Sequence, residues 1–234
     1  MFQRERTSPD TLSEFLTYLA EQGQEGQAQL PPLAEMSQQL GVSVASLREQ
    51  LEVARALGLV EVRPRTGIRR MPYRFEPAVL QSLSYAVAVD PTNFQAYSDM
   101  RIHLEMAYWY KATSILTPGD IQVLRNMVSS AKEKMHATSV QIPHVEHREL
   151  HLTIYRRLEN PFVTGALEAY WEVYEAIGLN VYTDLNYLEN VWKYHERMVE
   201  SIAAGDLASG YQAMVDHNDL LFHRPKAQRN QKFE

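Results

Sequence analysis

Residues 30–71 read LPPLAEMSQQLGVSVASLREQLEVARALGLVEVRPRTGIRRM, and the order of elements in this stretch decides the fold. A short helix is expected over about 32–39, followed by the turn Leu40-Gly41-Val42-Ser43. Ser43 is a good N-cap, since a serine hydroxyl accepts a hydrogen bond from an unpaired N–H of the first turn. A second helix then runs to about residue 57 and stops at Gly58. LVEVRP and GIRRMP read as two short strands around Arg65-Thr66-Gly67. Upstream, TLSEFLTYLAEQG places Leu12, Phe15, Leu16 and Leu19 at helical spacing, with Gly23 and Gly26 ending that helix. Helix, helix, turn, helix, hairpin is the winged helix-turn-helix order.

In such a motif the N-terminal end of the second helix enters the major groove. Ser43, Ser46 and Arg48 would then face phosphates or base edges. Arg65, Thr66 and side-chain-free Gly67 form a wing tip able to come close to the minor groove. The stretch also resembles the DNA-binding domain of the GntR family of bacterial transcription regulators. The resemblance is carried by Leu30-Pro31, Leu40-Gly41-Val42-Ser43, Arg48-Glu49, Gly58-Leu59-Val60-Glu61 and Gly67, in that order. Two positions depart from the family pattern. Val44 stands where the family usually has an arginine, and PPLAEM carries no arginine in the preceding helix. The resemblance implies a dimer reading a pseudo-palindromic double-stranded operator, two half-sites for a two-fold protein.

The rest of the chain is different in character. The 234 residues carry a net charge of −6, which argues against nonspecific coating of nucleic acid. Residues 1–75 hold nine basic and nine acidic residues, so the remainder, with 14 basic and 20 acidic, carries the whole imbalance. The late cluster Arg63, Arg65, Arg69, Arg70 and Arg74 gives the first segment a basic edge, and two domains with different partners are expected. There are no cysteines, so disulfides and thiolate metal sites are excluded. No apolar run is long enough to span a bilayer and MFQRERTSPD lacks the apolar core of a signal peptide, so a cytoplasmic protein without a membrane partner is expected.

After residue 75 the pattern is helical almost throughout. PAVLQSLSYAVAV and NFQAYSDMRIHLEMAYWYKATSIL are a short and a long helix. Thr117-Pro118-Gly119-Asp120 is a helix start, with a capping threonine and proline in the first turn. Asn160-Pro161 starts another, residues 184–204 form the next, and Asp206 caps a last helix to about 222. The expectation is a mainly α protein: a winged helix-turn-helix domain over 1–75, an all-helical bundle of six or seven helices over 76–222, and a disordered tail over 223–234.

HVEHRELH at 144–151 places three of the eight histidines in one short stretch. If residues 143–158 are helical, His147 and His151 share a face. His195 lies ten residues before Gly205 and His217 eleven after Asp206, which is ~15 and ~16.5 Å from the same turn at ~1.5 Å per residue. If those two helices fold back antiparallel, the rings sit at one level. Two histidines on one helix and one on each of two others can build a metal site inside a bundle. His103, His136 and His223 read as surface or hydrogen-bonded core residues. The aromatics Tyr97, Tyr108, Trp109, Tyr110, Tyr170, Trp171 and Tyr174 read as core and interface, some of them available to line a cavity.

Residues 76–222 resemble the FCD ligand-binding domain of the FadR subfamily. The marks are Arg101-x-x-Leu104-Glu105, Leu150-His151 followed by Asn160-Pro161, and His195 and His217 around Gly205-Asp206. The resemblance implies a divalent metal bound by three histidines, matched here by His151, His195 and His217, and by an aspartate whose place is taken by His147. Either His147 is a neutral fourth ligand or it turns away and leaves three. A neutral set prefers zinc, nickel or copper over magnesium or calcium, with zinc or nickel first. The resemblance also implies that Arg101 points into the cavity and pairs with a small carboxylate effector, for which its planar fork of donors is suited. The alternative for Arg101 is an ion pair with Glu105 on one helix face.

An enzyme is a weaker reading. A zinc hydrolase would place glutamate directly after the first histidine of His-Glu-x-x-His, whereas Glu149 is two residues after His147 and ~200° around the helix. The expected function is therefore a homodimeric DNA-binding regulator whose operator affinity is controlled by a small organic acid at a metal site. The alternatives are a metal-dependent enzyme on a helical bundle and a metal-sensing repressor with no organic effector.

Overall fold

The computed structural model describes residues 12–23, 29–178 and 184–222. Gly26, His223 and the tail 223–234 lie outside the described residues. The chain divides into two compact units, Met1–Gln81 and Ser82–Glu234.

The first unit contains α1 (Glu14–Glu21), α2 (Leu33–Leu40), α3 (Val44–Ala56), β1 (Val60–Arg63) and β2 (Gly67–Arg70). Side chains start two of the helices: Ser13 accepts from the Leu16 N–H and Ser43 from the Ser46 N–H. α2 begins after Pro32 without such a cap and ends at Gly41, whose φ of 65° is left-handed. The apolar positions of α1, α2 and α3 meet in a core in which Phe15, Met36, Leu47 and Ala54 are fully buried. Gln50 ties α3 to α1, its side-chain oxygen accepting from the Phe15 N–H at 2.9 Å. β1 and β2 pair antiparallel from Val60↔Arg70 to Arg63↔Gly67. A further bridge joins Gln29 to Arg69, so a third extended segment edges the hairpin. One bridging residue is too short for any alternation of polar and apolar residues to announce it.

Every regular element among the described residues of the second unit is a helix. α4 (Glu76–Val89) spans the division between the units, and α5 (Asn93–Thr113), α6 (Pro118–Met135), α7 (His144–Tyr155), α8 (Pro161–Ala176), α9 (Leu185–Ala204) and α10 (Leu207–Phe222) follow. With α4 that makes seven bundle helices among the described residues. α6 opens with a complete capping box between Thr117 and Asp120. Asn160 caps α8, Asp184 caps α9, and the Asp206 carboxylate accepts from the Ser209 N–H at the start of α10. α7 ends at Tyr155, three residues short of the expected end.

Trp109, Trp171 and Trp192, each no more than 1% exposed, fill the centre of the bundle. α9 and α10 form a hairpin about Gly205, whose φ of 75° a residue with a Cβ adopts only at a cost. α5 lies against α10. The Trp109 indole N–H donates to the Leu207 carbonyl at 2.9 Å, and a Cβ on Gly210 would come within 2.8 Å of the Trp109 ring. No helix among the described residues is long and apolar enough to cross a membrane.

Candidate metal centre

Three helices bring four imidazoles together. α7 supplies His147 and His151 one turn apart, α9 supplies His195 and α10 supplies His217. The Gly205 turn folds α9 and α10 back so that His195 and His217 face each other with ring centroids 4.5 Å apart. His147 lies 4.8 Å from His195 and 5.1 Å from His151 by the same measure. One nitrogen from each of the four rings falls within 4.8 Å of the others. His151, His195 and His217 are fully buried and His147 is half-buried. Trp171 stands edge-on to His147 at 4.8 Å, and Trp192 packs on His195 at 4.9 Å. Two buried indoles therefore line the cluster.

Burial decides the charge of these rings. Loss of hydration pushes His151, His195 and His217 well below the ordinary histidine range. The neighbouring Arg101 and, for His195 and His217, the adjacent histidines push the same way. These three rings are held neutral, the state in which an imidazole can ligate. The Nδ1 of His195 and both ring nitrogens of His217 have no hydrogen-bond partner in the protein. Buried polar nitrogens without partners are costly, and a ring nitrogen lacking a protein partner on His195 and on His217, within a group of four imidazoles that can each offer one ligand atom, suits a cation site. The residues fit a borderline divalent metal, for which imidazole is a preferred ligand.

Beneath the cluster lies a buried ion pair. Arg101 and Glu105, one turn apart on α5, are 1% and 0% exposed and 3.1 Å apart. The Arg101 guanidinium also lies over the faces of Tyr170 and Trp171, at 4.9 and 5.4 Å from their centroids. His151 Nδ1 sits between the two charges, 2.9 Å from Arg101 Nη2 and 3.2 Å from Glu105 Oε1. The pair can serve either tautomer. Arg101 donates to a bare Nδ1, in which case Nε2–H reaches His195 Nε2 at 3.1 Å. Alternatively Nδ1–H donates to Glu105 and Nε2 is left bare as a ligand. Burial raises the Glu105 carboxyl while the charge of Arg101 opposes the rise. Tyr155 completes the layer, its hydroxyl donating to the Glu105 carbonyl at 3.0 Å.

Tyr155 had no role in the sequence analysis. Glu105 stood only as a motif position and as the partner of Arg101 in an ion pair on one helix face. Their pair is formed, but inside the core and not on an exposed face. Asn218, 3% exposed and with both amide atoms unpartnered, follows His217 on α10, and no periodic signal marks it. The cluster does not take in His103 and His136, which are exposed. Nor does it take in Glu149, which pairs with Arg156 at 3.0 Å.

In the first unit, Arg48 is exposed on α3, while Ser46 is half-buried and its hydroxyl accepts from Gln50 at 3.3 Å. Ser43 is exposed and spends its hydroxyl on the helix cap. Arg65, Thr66 and Gly67 are exposed at the tip of the β1–β2 hairpin.

The FCD domain model matches residues 97–220, the span that contains Arg101 and all four histidines. Among solved structures, a Streptococcus agalactiae GntR superposes with a TM-score of 0.63 at 16% identity, covering 90% of this chain and 96% of that one. Escherichia coli McbR/YncC matches at 18% identity over 82% and 84% of the two chains, with a TM-score of 0.47. Lar, which controls the expression of the Listeria monocytogenes agr system, matches at 14% identity over 91% and 96%, with a TM-score of 0.48. No curated protein sequence matches the chain at a significant level. The chain belongs to the GntR-type regulators that carry an FCD domain, a winged helix-turn-helix unit followed by a helical bundle.

Proposed function

We propose that this protein is a homodimeric, cytoplasmic transcription regulator of the FadR subfamily. Its winged helix binds a pseudo-palindromic operator, and a small organic acid at a metal site in the bundle sets operator affinity. The observation that carries the effector half is the convergence of four imidazoles from three helices, with one nitrogen of each within 4.8 Å of the others, and with the Nδ1 of His195 and both nitrogens of His217 lacking a hydrogen-bond partner. His147, His151, His195 and His217 would hold the ion, zinc or nickel by the chemistry of the set. When bound, the metal would supply a Lewis-acid anchor for a carboxylate oxygen.

The chain's own residues do the rest. Glu105 accepts from His151 Nδ1–H, which fixes the tautomer whose Nε2 faces the site and raises its basicity. Trp171 and Trp192 exclude water. Arg101 offers a guanidinium Nε without a hydrogen-bond partner, positioned to meet an acid without surrendering Glu105. Occupancy of the bundle favours one arrangement of the two heads and shifts operator affinity by changing populations. No residue in the cluster is placed as a general base beside a nucleophile, and the reading is of a sensor, not an enzyme.

One observation favours a second reading. The charge of Arg101 is already met by Glu105, so the metal by itself could be the signal in a repressor with no organic effector. The test has two parts. Elemental analysis of the purified protein should find about one transition metal per chain, lost in a His195→Ala/His217→Ala variant; full retention there means that other residues are the ligands. A thermal-shift screen of hydroxy acids, dicarboxylates and sugar acids with metal present then separates the readings. A hit that needs the metal supports the organic effector, and metal-dependent operator binding with no hit supports the metal sensor.

A further inference from the structure

The distribution of charge over the DNA-binding unit is lopsided in a way the motif alone does not require. α2 has one acidic residue and no basic one, and α3 has Arg48 and Arg55 against Glu49 and Glu52, so the helix-turn-helix helices sum to −1. Residues 60–70, the wing, carry Arg63, Arg65, Arg69 and Arg70 against Glu61, a sum of +3. Ion pairing widens the contrast. Arg55 is held by Glu52 at 2.6 Å, which leaves Arg48, next to Glu49, as the α3 cation without an ion pair among the described residues. In the wing Arg63 pairs with Glu61 at 2.8 Å and Arg70 donates to the Gly23 carbonyl. Arg65 and Arg69 remain exposed with no ion pair among the described residues.

The wing tip is also held in one shape. Gln29 bridges Arg69 on the free side of β2, and the Leu30 N–H donates to the Ile68 carbonyl at 2.9 Å. The Gln29 side-chain amide reaches further and donates to the Thr66 carbonyl at 2.5 Å, inside the tip loop. Two residues of that loop have left-handed backbones, Arg65 at φ 68° and Gly67 at φ 81°. A non-glycine residue keeps that conformation only where its surroundings over-determine it. The brace and the glycine are coupled, because a Cβ on Gly67 would sit 3.0 Å from the Gln29 amide nitrogen.

We infer that the wing, braced by Gln29, supplies the larger part of the DNA affinity, and that Arg65 at its tip reads a narrow, A·T-rich minor groove. The inference rests on the DNA-binding reading proposed above. Nucleic-acid affinity comes chiefly from cations neutralising phosphates, and among the described residues of this unit the wing holds the excess cations. A guanidinium entering the minor groove is drawn by the deeper negative potential of A·T tracts. Thr66 and Gly67 are small enough to let it in. α3 then contributes discrimination through the methyl groups of Val44 and Ala45, which can meet thymine methyls in the major groove, and adds little charge. Gln29 is a positioning residue, acting through the loop that carries Arg65.

The experiment uses the full chain and a duplex it selects from a randomised pool. Three versions of that duplex are compared by fluorescence anisotropy: A·T pairs under the wing, G·C pairs there, and inosine·C pairs, which restore an A·T-like minor groove without the adenine edges in the major groove. The wild type should bind the A·T and inosine versions alike and the G·C version more weakly. Arg65→Ala should lose about tenfold or more in affinity and bind all three equally, and Arg48→Ala should lose only about threefold. Gln29→Ala and the size-conserving Gln29→Glu should both erase the preference among the three duplexes. A merely structural lesion would lower the active fraction and leave that preference intact. The inference is overturned if Arg48→Ala costs as much as Arg65→Ala, if the inosine duplex behaves like G·C, or if both Gln29 variants keep the preference. A protein that selects no duplex at all removes the DNA-binding reading, and this inference with it.

Discussion

Replacing His217 by leucine should separate the cost of the histidine cluster from its use. The ring is fully buried, and neither of its nitrogens has a hydrogen-bond partner in the protein. An unsatisfied buried polar group costs about 1–3 kcal/mol, and leucine is apolar and of similar volume. In the presence of a chelator, His217→Leu should therefore be more stable than the parent by about 1–3 kcal/mol. For a unit the size of Ser82–Glu234 each kcal/mol moves Tm by about 2–4 °C, which gives a rise of roughly 2–12 °C. With metal in excess the order should reverse. A ligand at about 1,000 times its Kd stabilises the parent by about 4 kcal/mol, and the variant should lose most of that increment. Differential scanning fluorimetry with and without added zinc or nickel reads all four values. Trp171 and Trp192, packed on His147 and His195, also report metal entry through their emission. If chelated His217→Leu melts several degrees below the parent, the nitrogens of His217 are satisfied in the folded protein and the cluster is not held open for an ion.

Three further outcomes are expected. Arg101→Ala leaves Glu105 alone in the core and should destabilise the bundle by about 3–5 kcal/mol, whereas Arg101→Met/Glu105→Leu, which removes both charges, should recover most of that by chemical denaturation; an equally unstable double variant would mean the pair is not the cause. The metal-free protein should lose stability on acidification, because the folded rings of His151, His195 and His217 titrate well below the ordinary range and the unfolded rings take up protons near pH 6.5. Unfolding then binds protons, and stability falls from pH 7 toward 5 by up to about 1.4 kcal/mol per pH unit for each ring; a flat profile in chelator would show that the rings are not held neutral. His147→Asp adds an anionic ligand and should raise the retention of manganese or magnesium relative to zinc, measured by competition and elemental analysis; unchanged selectivity would place His147 outside the ligand set.

Much of this protein follows from local chemistry that one sequence displays. Ser43, Thr117, Asn160 and Asp206 announce helix starts because capping is a contact within four residues. Gly41 and Gly205 mark ends because a left-handed backbone is a property of one residue. The spacing of His195 and His217 from the Gly205 turn foretells their meeting because the rise of a helix is fixed and a tight turn returns the chain on itself. By contrast, the Gln29 brace joins an extended segment to a loop 37 residues away, through one bridge with no periodicity. The burial of Arg101 with Glu105 depends on Tyr170 and Trp171 arriving from another helix; on α5 alone the pair reads as an ordinary surface contact. Asn218 and the unpartnered nitrogens of His217 become meaningful only when three helices close around them and exclude water. Sequence determined the elements, their order and the level at which the histidines stand, since these are set by neighbours along the chain. Tertiary structure decided which charges are dry, which donors have no partner and which loop is braced, since these depend on what packs against a side chain from elsewhere.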